Sequence, residues 1–270
     1  MKKADVFSVI NDRRHLNMAP EPLSIMKGRK KKMWNDFKTK KFIFAERDAT
    51  IIYPDCDPIG KLLLKTEYLD AFPNFDIEML KRGYYLINIS HHSRWAPDEE
   101  THIMADFVRY CAKELNASEQ CVLEGMSCGG LQAARFAELY PELTAVMYLD
   151  APVLNILSMA GLGERKSENP DRVWREIVST YGVSRSTIVN FRKSPIDNMS
   201  PLIENNIPVI MLYGNADNIV VYEENGKVLE EYYKEHGGTI KVISKSMCEH
   251  HPHGLEDVTP IVEFVERYKI

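Results

Sequence analysis

Three observations predict an α/β architecture with a mostly parallel, doubly wound sheet and one helical insertion. Short apolar runs recur from Lys40 onward, and several are continuous rather than alternating, as strands buried on both faces require. Segments with one apolar face at helical spacing separate these runs. The alternation breaks over residues 154–206 and then resumes. Such an order puts a functional crevice at the carboxyl ends of the strands.

The elements follow in order. Residues 1–39 are polar and irregular, with Pro20 and Pro22 as breakers, and read as an N-terminal extension; residues 40–270 form the domain. Strands are expected at 41–44, 50–53, 61–64, 84–89, 121–123, 145–149, 209–213 and 240–243. A helix over 99–116 places Ile103, Phe107, Cys111 and Leu115 on one face, and residues 129–139 behave similarly. In the last segment Thr259 can cap, Pro260 opens the helix, and Ile261, Phe264, Val265 and Tyr268 share a face. Residues 154–206 carry a Gly-rich opening and helices around 171–181 and 186–191. They read as a lid inserted after a strand, not as a separate domain.

Composition narrows the function. With 270 residues, 44% hydrophobic and 10% aromatic, the chain can bury a sizeable core and is not disordered. A net charge of −5 argues against nucleic acid as a partner. The one basic cluster, Lys27-Gly28-Arg29-Lys30-Lys31-Lys32, reads as a solvated loop. No run approaches the ~18 apolar residues of a membrane span. The start, Met1-Lys2-Lys3, has the charge of a signal peptide without its apolar core, so a cytoplasmic location is expected. Cys56, Cys111, Cys121, Cys128 and Cys248 are odd in number and scattered, which predicts reduced thiols rather than a disulfide framework or zinc knuckle. No oligomeric state is assigned.

The sharpest motif is Cys121-Val122-Leu123-Glu124-Gly125-Met126-Ser127-Cys128-Gly129-Gly130, a buried strand running through Gly-x-Ser-x-Gly into a helix. Small residues two positions either side of the serine let strand and helix pack closely, and the sharp turn pushes Ser127 Oγ into the crevice. A hydroxyl needs a base and an orienting acid to become nucleophilic. Both candidates follow at strand ends. Asp217 lies in the turn Gly214-Asn215-Ala216-Asp217, and His250 heads the cluster His250-His251-Pro252-His253. His251 and His253 stay open as alternative bases or pocket groups. Adjacent histidines on an irregular segment, without a carboxylate at metal-site spacing, predict no metal and no cofactor. Asp150, ending the strand 145–149, competes for the acid role but reads better as a pocket or capping group, and His91 as crevice-lining. The oxyanion hole is expected from Cys128 N–H and from the loop at Lys65-Thr66-Glu67, with Thr66 as second donor and Glu67 in the pocket.

With these residues in place, the chain over 40–270 resembles the α/β-hydrolase fold family of serine esterases and peptidases, whose order of nucleophile, acid and histidine is that of Ser127, Asp217 and His250. Five stretches resemble a bacterial group of esterases and prolyl-oligopeptidase-like hydrolases: Lys65-Thr66-Glu67-Tyr68, Asp150-Ala151-Pro152-Val153, Pro195-Ile196-Asp197-Asn198, Tyr222-Glu223-Glu224-Asn225 and His250-His251-Pro252-His253-Gly254-Leu255. The resemblance implies an α/β-hydrolase fold and a small acyl substrate, with acylated carbohydrates the nearest class. Cys248-Glu249 stands where that group carries Gly-x-Gly, and Lys65-Thr66 where it carries an Arg-containing turn. The expected function is hydrolysis of a small carboxylic ester through an acyl-enzyme. The alternatives are an acyltransferase or peptidase using the same residues, or a ligand-binding protein with a slow triad.

Overall fold

Nine strands form one sheet in the order β1-β2-β3-β5-β4-β6-β7-β8-β9. The computed structural model describes residues 33–166 and 169–268; the basic cluster at 27–32 and most of the N-terminal extension lie outside the described residues. The strands are β1 (Met33–Trp34), β2 (Phe37–Phe44), β3 (Arg47–Ile52), β4 (Leu62–Lys65), β5 (Tyr85–Ile89), β6 (Cys121–Met126), β7 (Thr144–Asp150), β8 (Val209–Gly214) and β9 (Ile240–Lys245). The pairs β1–β2, β2–β3 and β3–β5 are antiparallel, and every pair from β5 to β9 is parallel. All eight apolar runs are therefore strands of a mostly parallel sheet.

The helices are α1 (Asn74–Lys81), α2 (Asp98–Leu115), α3 (Cys128–Leu139), α4 (Pro170–Tyr181), α5 (Ser200–Glu204), α6 (Gly226–Glu235) and α7 (Thr259–Tyr268). They cover both faces, because successive strand residues point to opposite sides. In β4, Leu62 and Leu64 join one core with Phe107 of α2 and Phe136 of α3. Leu63 joins the other, with Met79 of α1 and Val265 of α7. Three details depart from the pattern read in the sequence. The sheet begins at β1, ahead of residue 40, since the first half of β2 alternates buried Phe37 and Thr39 with exposed Lys38 and so gives no apolar run before residue 41. Residues 188–190 form only a short 3₁₀ turn, where Ser184 and Thr187 side chains bond backbone groups that a helix would use. Helices α1, α5 and α6 are additional.

Among the described residues, no helix is long and apolar enough to cross a membrane. Residues 154–206 leave the sheet after β7 and build a third apolar cluster. There Ile156, Met159, Val173 and Ile177 pack on Cys128 and Leu131 at the start of α3. The insertion thus rests on the strand-to-helix turn that carries Ser127.

Candidate active site

Ser127 sits between β6 and α3 with φ 52° and ψ −119°, a conformation that side chains with a Cβ rarely adopt. Backbone bonds fix it: Ser127 N–H donates to Asp150 O at 3.0 Å, and Gly130 and Val153 N–H donate to Ser127 O at 3.0 and 2.9 Å. The glycines are steric necessities. A Cβ on Gly125 would lie 2.6 Å from Gly129 O, and one on Gly130 would lie 2.7 Å from Pro152 Cα.

Asp217 follows β8 and His250 follows β9. His250 Nδ1 is 2.8 Å from Asp217 Oδ2, and His250 Nε2 is 3.0 Å from Ser127 Oγ. Asp217 Oδ1 accepts from Ile219 N–H at 2.8 Å and Val220 N–H at 3.0 Å, which fixes the carboxylate. Burial alone pushes the Asp217 carboxyl up. The His250 contact and the two amides outweigh that, so its pKa falls below the usual aspartate value. Of the three clustered histidines, His250 alone bonds both an acid and the serine. His251 and His253 line the cleft instead, and their rings pack with Phe72. The three imidazoles offer ligand atoms within 4.8 Å of one another. Both nitrogens of His250, however, already face Asp217 and Ser127, which leaves that ring no lone pair for an ion in this arrangement.

The supporting groups lie one layer deeper than the sequence suggests. Asp150 is fully buried and does not line the cleft. It receives Lys245 Nζ at 3.1 and 3.2 Å and the Gly254 amide, and lies 3.4 Å from His253 Nδ1, so it anchors the histidine loop. His91 does not face the cleft either. Its Nε2 bonds Thr66 O at 3.0 Å, and its Nδ1 lies 3.5 Å from Glu100, which is itself bound by Arg47. Glu67 accepts from Gln132 Nε2 of α3 at 2.8 Å and is tied to that helix rather than to the cleft.

Thr66 needs the clearest correction. Its N–H donates to Glu124 O at 3.0 Å in the β4–β6 register, and its hydroxyl bonds Glu124 O and Gly129 O. Neither group is left for an oxyanion. The next amides, of Glu67 and Tyr68, have no acceptor among the described residues, and Glu67 N would lie 3.6 Å from a Cβ on Gly129. Cys128 N–H occupies the first position of α3, where a helix has no acceptor four residues back. The Cys128 side chain is buried in the insertion cluster, and burial pushes its thiol pKa up.

Neither a protein-family model nor a curated protein matches the sequence. Solved structures do. The acylaminoacyl peptidase of Pyrococcus horikoshii aligns over 86% of this chain with a TM-score of 0.67 at 15% identity. The thermostable carboxylesterase EstE1, from a metagenomic library, aligns over 79% with a TM-score of 0.57 at 16% identity. The Francisella virulence factor BioJ aligns over 86% with a TM-score of 0.63 at 12% identity. The fold is that of the α/β hydrolases. This chain spans about two fifths (42%) of the length of the Pyrococcus peptidase, but 80% of EstE1 and 85% of BioJ.

On the α/β-hydrolase scaffold the three strand ends open into a cleft of about 670 Å³ walled in part by Met159, Arg165, Asn169, Arg172 and Val173. Sequence reasoning missed most of its wall. Phe72 comes from the segment after β4, Arg94 from the loop before α2, Arg165, Arg172 and Val173 from the insertion, and Ile219 from the turn after Asp217. These residues share no spacing or motif. Only their common neighbour, Ser127, identifies them.

Proposed function

We propose that the chain is a serine hydrolase cleaving a small carboxylic ester through an acyl-enzyme intermediate. The observation that carries this reading is the line from Asp217 through His250 to Ser127, at 2.8 and 3.0 Å, on a serine held at positive φ. In this mechanism Ser127 Oγ attacks the ester carbonyl while His250 Nε2 accepts its proton. Asp217 holds the imidazole with Nδ1 protonated and stabilises the imidazolium. The oxyanion is met by Cys128 N–H and by the free amide of Glu67 or Tyr68, in place of Thr66. His250 then protonates the leaving alcohol. Water, deprotonated by the same imidazole, releases the acid and restores Ser127.

Residues 154–206 act as the lid of this site, with Met159, Arg165 and Val173 walling the cleft above Ser127. Ester rather than peptide cleavage is supported by the overlap with 80% of the carboxylesterase EstE1, against 42% of the longer peptidase. The test is turnover of 4-nitrophenyl butyrate beside a matching 4-nitroanilide. The wild type should cleave the ester and Ser127→Ala should not. Full turnover by Ser127→Ala would refute the mechanism, and faster cleavage of the anilide would make the chain a peptidase.

A further inference from the structure

The cleft is electrostatically one-sided. Among the described residues that line it there are three arginines and three histidines, and no aspartate or glutamate. The nearest carboxylates are already committed. Asp217 is spent on His250. Glu176 serves two of the three guanidinium groups, taking Arg94 Nε and Nη2 at 2.9 and 2.7 Å and standing 3.6 Å from Arg172 Nε. One carboxylate against three guanidinium ions leaves the wall positively charged.

Among the described residues, Arg165 is the guanidinium of the wall with no carboxylate partner. Its Nη1 donates to Met159 O at 2.7 Å, while its Nε is buried with no hydrogen-bond partner, and it makes no ion pair among the described residues. Arg94 offers the contrast, since two of its nitrogens hold Glu176 and its guanidinium lies 5.2 Å from the Trp95 ring. A purely structural brace would satisfy its buried donors within the protein, as Arg94 does. An arginine that lines a cavity, spends one nitrogen on a carbonyl and meets no carboxylate among the described residues is suited to receive an anionic acceptor. Burial also pulls the Arg165 pKa down, the expected cost of half-burying an uncompensated cation. Apolar Phe72, Val173 and Ile219 line the rest of the path, so a ligand fitting this wall has a short hydrocarbon body and a charged end.

We propose that the cleft selects esters bearing a carboxylate, and that Arg165 is the residue that holds it. The assignment rests on Ser127 as nucleophile for its catalytic meaning, though not for the binding itself. A single guanidinium with no carboxylate partner among the described residues suits a monoanionic carboxylate. Whether that group belongs to the acyl half or to the alcohol half depends on which way the ester lies across Ser127.

Two substrate pairs decide this. On the acyl side, mono(4-nitrophenyl) glutarate is compared with its terminal amide. On the alcohol side, 4-carboxyphenyl butyrate is compared with 4-carbamoylphenyl butyrate. Each pair differs by one charge at nearly constant shape. A charged hydrogen bond in a partly desolvated site predicts that one pair favours the carboxylate by roughly 10- to 100-fold in kcat/KM. That ratio should collapse toward unity in Arg165→Met, survive in part in Arg165→Lys, and shrink with added salt. A ratio near unity in both pairs for the wild type overturns the proposal, as does a preference that Arg165→Met leaves intact. Arg165→Lys keeps the question answerable if the methionine variant fails to fold.

A binding measurement separates this proposal from the hydrolase reading. The wild type should be stabilised against heat by 4-phenylbutyrate and not by 4-phenylbutyramide, with the difference lost in Arg165→Met. Acid-selective stabilisation without any ester turnover would sink the hydrolase reading and keep this one. Turnover of both members of each pair without discrimination would do the reverse.

Discussion

Replacing Lys65 by Met removes a fully buried ammonium from between two fully buried carboxylates. Lys65 Nζ donates to Asp76 Oδ2 at 2.5 Å and to Ala71 O at 2.8 Å, and lies 3.3 Å from Glu124 Oε1. All three ionisable side chains are 1% exposed or less. Burial, and then the charge of Asp76, push the Glu124 carboxyl well above its ordinary value near 4.5, further than Lys65 pulls it down. Burial and the neighbouring Asp76 thus favour the neutral form of Glu124. Asp76, with the shortest contact, is the partner of the lysine.

Without the ammonium a buried carboxylate stands uncompensated, which costs about 3–5 kcal/mol. For a domain of this size the melting temperature should fall by roughly 6–20 °C. Glu124→Gln keeps the shape of a protonated carboxyl and should cost less than about 1.5 kcal/mol at neutral pH. The pH dependence has a definite sign. A carboxyl whose folded pKa is raised contributes stability that is complete below the unfolded value and is lost as pH rises through the folded one. Wild-type stability should thus fall from about pH 4.5 upward relative to Glu124→Gln, read by urea melts across that range. If Glu124→Gln proved as damaging as Lys65→Met at neutral pH, Glu124 would be the ionic partner and the assignment would fail. The cluster also braces the site, because Lys65 precedes Thr66 and Glu124 pairs with Lys65 one residue before Gly125.

Other outcomes follow from the same geometry. Asp217→Asn keeps the shape of the turn but removes the charge that orients His250, so kcat should fall on the order of 10³- to 10⁴-fold with KM little changed. A loss below about tenfold would mean another acid serves His250. Native iodoacetamide treatment should alkylate exposed Cys56 and spare buried Cys111, Cys121 and Cys128, whose thiols burial pushes up; modification of Cys128 in the folded protein would contradict its placement under the insertion. Burial pushes Glu100 up, but His91 and Arg47 hold it at about 2, so the stability it contributes is complete above pH 4.5 and is lost as pH falls toward about 2. Arg47→Met should flatten that acid limb and lower overall stability, and an unchanged limb would show that the pair carries no such linkage.

The strands were legible because a parallel sheet is apolar on both faces. Residues such as Leu62, Leu63 and Leu64 serve two cores and leave an unbroken run in the sequence. Ser127, Asp217 and His250 could be found because each sits where a recognisable strand ends, and the Gly-x-Ser-x-Gly turn names its own geometry. Depth was not legible. Asp150, His91 and Glu67 also end or follow strands, yet they face the histidine loop, the Thr66 carbonyl and Gln132 rather than the cleft. Thr66 failed as an oxyanion donor because its amide is consumed by Glu124, and that depends on register with a strand nearly sixty residues away. Arg165 and Arg172 come from an insertion whose residues obey no single period, so nothing local marks them as cleft residues.

The central claim is that Ser127 is an activated nucleophile. Intact-mass and peptide analysis after treatment with diisopropyl fluorophosphate tests it without knowledge of the substrate. The account predicts one phosphoryl adduct, located on Ser127, absent from Ser127→Ala and formed far more slowly in His250→Ala. A wild-type protein left unmodified, or an adduct on any other residue, would contradict it.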